Sequence, residues 1–573
     1  MKKTTLILLG IILLGLLLRV QVAGNVHVNS DEAIYVTHGL GFIDSGRISV
    51  FEQSPTYYYL SDLVYTYFNL SSTTGRLLSI IGSVLSIILI YFITKKFYNK
   101  NVGLLAAFLF SISGFAIAFN TEMDMLMYFF ILLSMYFLMK AMDEEKEIGK
   151  YHLLSMCSYV LAVMIKPLAV PAIVPLAVYY ISKRRKSSLT NHLKVIGIFF
   201  IVGIALSSPV LTYNYILYKD QGIVDGVFSQ YFNIPLEEYK DYQVDKEWSV
   251  SYLSNRFKDI THKMFTKDFF LLFFGLLGLG ISAWRHKNKI NYLFIPLFIV
   301  YFYFMGIHGG QNHYIIFMAM FSVYAAVSIR WLIARKEKYF PFITMPRKKL
   351  FYWFLAIIVV VNIFAIRGPL TDKAATNQLQ EFFSTIDNKN TLVIVDPNMY
   401  TASRNYAFAH NNFVWADDFS QHIDYFHKDP SKPRRVTSYY VYCASGDCGW
   451  GSGRNNTEIN QQSSLKFIKD VYGEPKAIAT FSDNLKKGSY TYEAFMGDMT
   501  VPGNYLGYVH NRDRFFSHAF NYFNDDQTFD YIDVEKLNFT DRLLYKISRM
   551  LLILQVFFSI ALMIYTALLL RRT

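Results

Sequence analysis

Charge is in short supply in this chain. Asp, Glu, Lys and Arg make up 17% of its 573 residues, against roughly 25% in an average soluble domain. With 53% hydrophobic residues beside that shortage, a wholly soluble protein is excluded. Cysteine is scarcer still, with three residues, too few for a four-cysteine metal knuckle. No internal repeat and no low-complexity tract is visible, which argues against a repeat-built transporter. A small-residue cleavage site is also lacking. Met1-Lys2-Lys3 is basic, but "TTLILLGIILLGLLLRVQVA" is long and nothing cleavable follows, so it reads as a retained signal-anchor helix.

What the chain does have is clustered apolar runs. A helix of about 17–25 apolar residues crosses a bilayer, because lipid leaves the backbone to satisfy its own hydrogen bonds. Candidate spans fall at roughly 4–23, 75–94, 102–120, 124–142, 151–166, 168–182, 194–216, 268–284, 290–307, 313–333, 349–367 and 546–570. The fifth and sixth are short and share Lys166-Pro167, as in a tight helical hairpin. Starting with Lys2-Lys3 in the cytoplasm, alternation puts "KKFYNK", "SKRRKSS", "RHKNK", "ARKEKYF…PRKK" and the final Arg571-Arg572 inside, as the positive-inside rule requires. Only "DEEKEIGK" opposes it. The net charge of +13 therefore reads as topology signal and not as a nucleic-acid-binding face.

The expected fold class is thus a multi-pass α-helical membrane protein of about twelve spans, with a C-terminal α/β or α+β ectodomain. Residues 1–367 form the transmembrane domain with outer loops 24–74 and 217–267. Residues 368–545 form the extracytoplasmic domain, and 546–573 the last helix and a basic tail. In the ectodomain, "TLVIVDPNMY" and "KAIATFSDN" read as strands ending in turns. Cys443 and Cys448 can close a small disulfide loop on an oxidising side, while Cys157 reads as a packing residue in an apolar helix. Three glycosylation sequons, at Asn69, Asn455 and Asn538, fall on the expected outer side.

The same face collects ionisable side chains. Asp31-Glu32 follow the first span; Arg19 and Arg76 lie near the outer ends of the first two; Glu122 and Asp124 open the fourth; Lys166 sits at the hairpin tip; His308 and His313 share a later turn. Ionisable groups at membrane depth are costly and usually mark function or a buried pair. Each also has a plainer reading. The arginines can snorkel to headgroups, Asp124 can cap a helix, Tyr57-Tyr58-Tyr59 can be an aromatic belt, and the histidines can be ordinary core residues.

The order of these pieces carries more than any one of them. "DEAIYVTHGLGFIDSG", "FEQSPTYYYL" and "GRLLSIIGSVLSIILIYFITKKFYNKNVGLLAAFLF" resemble the polyprenyl-phosphate-sugar-dependent glycosyltransferases of the C-type superfamily, including the lipid A aminoarabinose transferases and protein O-mannosyltransferases. Arg19, Asp31, Glu32, Glu52, Pro55, Tyr57, Tyr58, Arg76, Asp124 and Lys166 match that family's order, over roughly residues 1–335. The ectodomain matches nothing comparable. Where the aminoarabinose transferases have Lys-Pro after the glutamate, this chain has Gln53-Ser54.

The resemblance implies a function. A monosaccharide would pass from a polyprenyl (dolichyl or undecaprenyl) phosphate to a glycan, lipid or protein hydroxyl on the extracytoplasmic face, with inversion. Such a donor already has a good leaving group, so no general acid is needed, unlike glycoside hydrolysis. A base must take the acceptor proton, and cations must meet the charge on the departing phosphate. Asp31 is the expected base, with Glu32 and Asp124 shaping the acceptor or sugar site. Lys166, Arg76, Gln53, Tyr57, Tyr58 and Arg19 would hold the donor phosphate. A divalent metal would bind Glu52 with His262, with His308 and His313 as rivals. The alternatives are an oligosaccharyltransferase, disfavoured by the lack of a Trp-Trp-Asp stretch, and a lipid or solute transporter. The bilayer is an expected partner and nucleic acid is not.

Overall fold

The structure is a computed structural model. It describes residues 3–26, 28, 30–50, 54–118, 123–144, 148–232, 250–284, 289–308, 312–339, 341–396, 399, 406–416, 419, 432–445, 458–473, 476–482, 491–503, 505–506 and 532–572.

Each apolar run folds as helix. α1 (Lys3–Asn25) is followed by two helices that the runs do not show, α2 (Ser30–Gly39) and α3 (Pro55–Phe68). The bundle continues with α4 (Leu77–Phe97), α5 (Lys100–Ser111), short α6 (Gly114–Ala118), α7 (Asp124–Ala141), α8 (Lys150–Ile165) and α9 (Ile173–Lys183). After α10 (Leu189–Gln221) and α11 (Gly226–Phe232) come α12 (Val250–Trp284), α13 (Asn291–His308), α14 (Ile315–Ala334), α15 (Lys336–Tyr339), α16 (Arg347–Ala365) and α17 (Arg367–Thr371). Among the described residues, 8 helices are long and apolar enough to cross a membrane. The other expected spans are met by shorter apolar helices at Lys100–Ser111, Lys150–Ile165, Pro167–Lys183 and Asn291–Tyr303.

Two local differences have physical causes. The span expected at 102–120 is broken between α5 and α6. There the Asp268 carboxylate accepts from Ser113 Oγ (2.6 Å), Gly114 N (2.9 Å) and Phe115 N (2.7 Å), and so starts a new helix. Asp268 itself leaves helical geometry (φ −142°, ψ 48°), which kinks α12. Lys166 is extended at the end of α8, and Pro167 then opens a 3-10 turn, since proline cannot continue the helix behind it. α12 and α14 cross so closely that a Cβ on Gly278 would lie 1.9 Å from the Tyr324 carbonyl oxygen.

The α/β region opens with α18 (Ala375–Ser384), β1 (Thr391–Val395), β2 (Phe413–Trp415) and β3 (Arg434–Ser445). Then come α19 (Glu458–Tyr472), β4 (Ala479–Ser482) and β5 (Thr491–Val501), before the final helix α20 (Phe539–Leu568). The sheet order is β2-β1-β3-β5-β4, with β1 parallel to β2 and β3, and β5 antiparallel to β3 and β4. Alternate residues face opposite ways. Val393, Val395, Val441 and Ala494 pack with Leu379 and Phe383 of α18, whereas Ile394, Tyr440 and Phe495 pack with Ile468 of α19. Cys443 is disulfide-bonded and Cys157 is free; the expected partner, Cys448, lies outside the described residues, as does the sequon at Asn455. Asn538 caps α20, its side chain accepting from Asp541 N at 3.0 Å.

The sheet domain is tied to the bundle by hydrogen bonds. Ala374 N donates to Asn25 O (2.7 Å), Asn377 Nδ2 to Gly24 O (3.2 Å) and Val26 O (2.8 Å), and Gln380 Nε2 to Leu70 O (3.1 Å). α18 therefore sits on the end of α1 and on the turn before α4.

Candidate active site

Asp31 and Glu32 occupy the first turn of α2, where acidic side chains suit the helix dipole. Successive residues on a helix point about 100° apart, and here that separates their fates: Asp31 is exposed and Glu32 is buried. The Glu32 carboxylate meets Arg76, with Nη2 2.8 Å from Oε2 and Nε donating to the other oxygen. Arg76 Nη1 donates to the carbonyls of Ala23 and Val26. The pair thus binds the end of α1 to α2 and to the turn before α4. Tyr406 of the sheet domain packs beside Gly75 on this turn.

Asp124, the first residue of α7, is buried between two partners. One oxygen lies 2.8 Å from Lys166 Nζ and the other 2.9 Å from His313 Nδ1. The extended break at Lys166-Pro167 brings the lysine there from the α8 end, and the turn before α14 brings the histidine. Tyr128, one turn along α7, donates to the His313 carbonyl. Lys166 Nζ also lies 5.7 Å from the Tyr35 ring centroid, so α2 supplies an aromatic face to the cation.

α3 starts at Pro55, suited to a first helical position. Ser54 Oγ donates to Val163 O (3.1 Å), which fixes this start beside the end of α8. Tyr57 and Tyr58 are buried and not an interfacial belt: each ring centroid lies 6.4 Å from that of Tyr35. Tyr58 also meets His38 edge-on at 5.4 Å. Burial, with Arg47 nearby, lowers His38 to about 3, so its imidazole is neutral. Asp62 of α3 accepts from Gly41 N (3.1 Å) and Ile43 N (2.7 Å) and shapes the turn after α2.

The structure therefore brings Asp124, Lys166, Tyr57 and Tyr58 together around Tyr35, and puts Glu32 on Arg76. It does not bring Arg19 to them. Arg19 is buried deeper along α1, donating to Ser83 Oγ (2.5 Å), Gly15 O (3.0 Å), Ser111 O (2.9 Å) and Phe110 O (3.2 Å). Glu52, Gln53 and Glu122 lie outside the described residues, as does the His308 side chain. His262 is exposed on α12. Among the described residues no three His, Cys, Asp or Glu side chains cluster as metal ligands. The sequence reading missed His313 as a partner of Asp124, having weighed it as a metal ligand or an ordinary core histidine. It also missed Tyr35, although "DEAIY" places it one helical turn beyond Asp31.

Residues 52–213 match the family described as dolichyl-phosphate-mannose-protein mannosyltransferase. No curated protein matches the chain. The fold is similar to that of ArnT from Cupriavidus metallidurans bound to undecaprenyl phosphate, at a TM-score of 0.54 and 12% identity over 85% of this chain and 97% of that one. The apo state of the same protein gives 0.50 at 12% identity, with the same coverage. An Archaeoglobus fulgidus oligosaccharyltransferase in complex with Zn and sulfate gives 0.46 at 16% identity, over 71% of this chain and 61% of that one. The resemblance read in the sequence is borne out: the family match begins just before α3 and runs into α10, and the fold is ArnT-like.

Proposed function

We propose that this chain is a membrane glycosyltransferase that moves a monosaccharide from a polyprenyl-phosphate donor to an acceptor hydroxyl on the extracytoplasmic face. The observation that carries the reading is the buried Asp124–Lys166 pair under Tyr35 on the helix that presents Asp31 to solvent. The family match and the ArnT-like fold support it.

The proposed chemistry follows from charge. The Asp31 carboxylate takes the proton of the acceptor hydroxyl as its oxygen attacks the anomeric carbon. The bond from that carbon to the phosphate oxygen breaks, and the polyprenyl phosphate leaves with the electron pair. One such displacement inverts the anomeric centre. Lys166 meets the charge gathering on the phosphate; Asp124 holds its ammonium in place, and His313 holds Asp124. Glu32 and Arg76 fix the base-bearing turn of α2. A donor with a long lipid tail cannot leave the bilayer, so the site belongs at the end of a bundle, facing a groove at the membrane surface.

The test is transfer itself. Purified protein is incubated with a radiolabelled polyprenyl-phosphate sugar and membrane extract; label moving to an acceptor supports the reading, and none with any donor sugar overturns it. The proposed orientation is checked in intact cells. Tyr67→Cys should react with an impermeant thiol reagent and Arg185→Cys should not. A divalent metal held by Glu52 and an outer histidine remains part of the proposal. Metal analysis of the purified protein, with and without Glu52→Gln, tests it directly.

A further inference from the structure

A cavity of about 450 Å3 opens where the α2–α3 connection, α10, the segment before α20 and α20 itself meet. None of Asp31, Asp124 and Lys166 lines it. Its polar lining includes Arg47, Ser49, Tyr213, Asp533, Glu535 and Tyr545. Its volume lies within the roughly 300–1,000 Å3 range of small-molecule sites.

The walls are fixed by contacts between distant parts of the chain. Tyr545 donates its hydroxyl to Gly46 O at 3.1 Å. Gly46 has φ +71°, and a Cβ there would press on the Arg549 guanidinium at 3.2 Å, so the turn needs glycine. Thr212 and Ser548 join α10 to α20 at 2.7 Å. Ile48 and Ile532 give the lining its apolar side, and they pack with the two tyrosines, Ile216 and Leu217.

Two features define what fits. Ser49 is 1% exposed, and its hydroxyl finds no hydrogen-bond partner among the described residues. Leaving such a group unpaired costs about 1–3 kcal/mol, which a ligand hydroxyl in the cavity would recover. The lining also carries Asp533 and Glu535 against Arg47, with Lys536 ion-paired to Asp533 at 3.2 Å, so its charges cancel and none is left over to draw in a phosphate or carboxylate ligand. Carboxylates accept from hydroxyls, a guanidinium donates to hydroxyl or ring oxygens, and a serine does either. Tyrosines add apolar faces with polar tips. Neutral polyols have this pattern of needs.

We infer that this cavity binds a neutral saccharide, the sugar portion of the acceptor. The assignment to the acceptor rests on the transferase reading above; the saccharide site itself does not. Apolar side chains stand exposed on both flanking helices, Leu211 on α10 and Ile547 and Met550 on α20. A saccharide carried on a lipid would lay its chains there.

The test uses the full chain in lauryl dimethylamine oxide, a detergent without sugar. Maltose, lactose and chitobiose serve as free probes and dodecyl maltoside as the lipid-borne one, read by saturation transfer to saccharide protons. Inorganic phosphate, followed by its own resonance, is the anionic control. Ser49→Phe fills the cavity; Asp533→Asn with Glu535→Gln removes acceptors without filling it, and melting temperature confirms folding. At least one saccharide should bind, at least tenfold more weakly in both variants, with phosphate neither binding nor competing. Dodecyl maltoside binding at least tenfold tighter than maltose, with the same sensitivity, assigns a lipid-borne saccharide; equal affinity assigns a free one. No binding by any probe, equal binding in wild type and variants, or displacement by phosphate overturns the inference. Since no donor is present, failed transfer elsewhere would leave this result untouched. If transfer holds, both variants should raise acceptor KM with little change in kcat.

Discussion

Two of the polar knots buried in this bundle are built on opposite plans. One joins Arg19 and Asp268 to the break between α5 and α6. Arg19 takes the carbonyls of Phe110 and Ser111 at the end of α5, and Asp268 takes the amides of Gly114 and Phe115 at the start of α6. Each side chain thus answers the partial charge of a helix end. Asn362 Nδ2 of α16 adds bonds to Ile112 O (3.0 Å) and Asp268 (3.2 Å). The other knot is Asp124 with Lys166 and His313, where side chains hold one another under the Tyr35 ring. A charge consumed by backbone ends has no freedom to serve a ligand. A charge held by another ion can be shared with an incoming phosphate, since a second charge then replaces part of the first pairing. Burial alone does not separate structural from functional charges, so the role proposed for Lys166 rests on the nature of its partner.

The strongest way to break that contrast is outside both knots. Asp31→Asn should lower turnover by about 10²–10⁴-fold, the usual loss of a general base, with the melting temperature unchanged because the side chain is exposed. Near-normal turnover would overturn the proposed mechanism. Next, Asp268→Leu strands Ser113 Oγ and two amides in the bundle, at about 1–3 kcal/mol for each unpaired group. The protein should unfold at clearly lower temperature, or fail to accumulate, and Asp268→Asn should recover part of the loss. If folded Asp268→Asn kept its stability but lost turnover, the first knot would be functional after all. Lys166→Ala should weaken donor binding by about 1.5–3 kcal/mol, the worth of a charged hydrogen bond, measured by donor titration beside a melting curve. Arg19→Lys should instead lower stability and leave donor affinity near wild type.

The smallest effect sharpens the comparison with a third buried carboxylate. Asp225, between α10 and α11, accepts from Asn214 Nδ2 (2.6 Å) and Phe228 N (2.7 Å). Burial outweighs these bonds and pushes it up to about 6 from 3.8. The folded state then keeps a proton that the unfolded chain releases in between. Its contribution to stability is fully present below about pH 4 and is lost as pH rises through 6. Melting temperature in detergent should show that decline, and Asp225→Asn should flatten it.

The bundle was largely legible in the sequence, because lipid imposes a length and a polarity on every span. "TTLILLGIILLGLLLRVQVA" and the α14 run are helices for that reason alone. The break after Ser111 was not legible, since its cause, Asp268, lies more than 150 positions away. α2 and α3 were read as loop, their mixed polarity hiding short helices that pack only against the finished bundle. In the candidate site, Asp124 and Lys166 were legible as acidic and basic residues at span ends facing one way. Their pairing with His313 was not, because nothing local ties residue 313 to residue 124. Arg19 looked like its neighbours in type and depth, and only its partners set it apart.

The contact between Gly46 and Tyr545 spans 499 positions, as does that between Thr56 and Gln555. During synthesis the opening segment leaves the ribosome first and must wait for the last helix before these bonds can form. Until then the α2–α3 connection has only its earlier contacts, among them those of Asp62 with Gly41 and Ile43 and of Ser54 with Val163. A chain released early, however well its first spans insert, has neither the cavity wall nor the clamp on α3. On the reading proposed above, a product that lacks α20 should insert its first spans and yet transfer nothing.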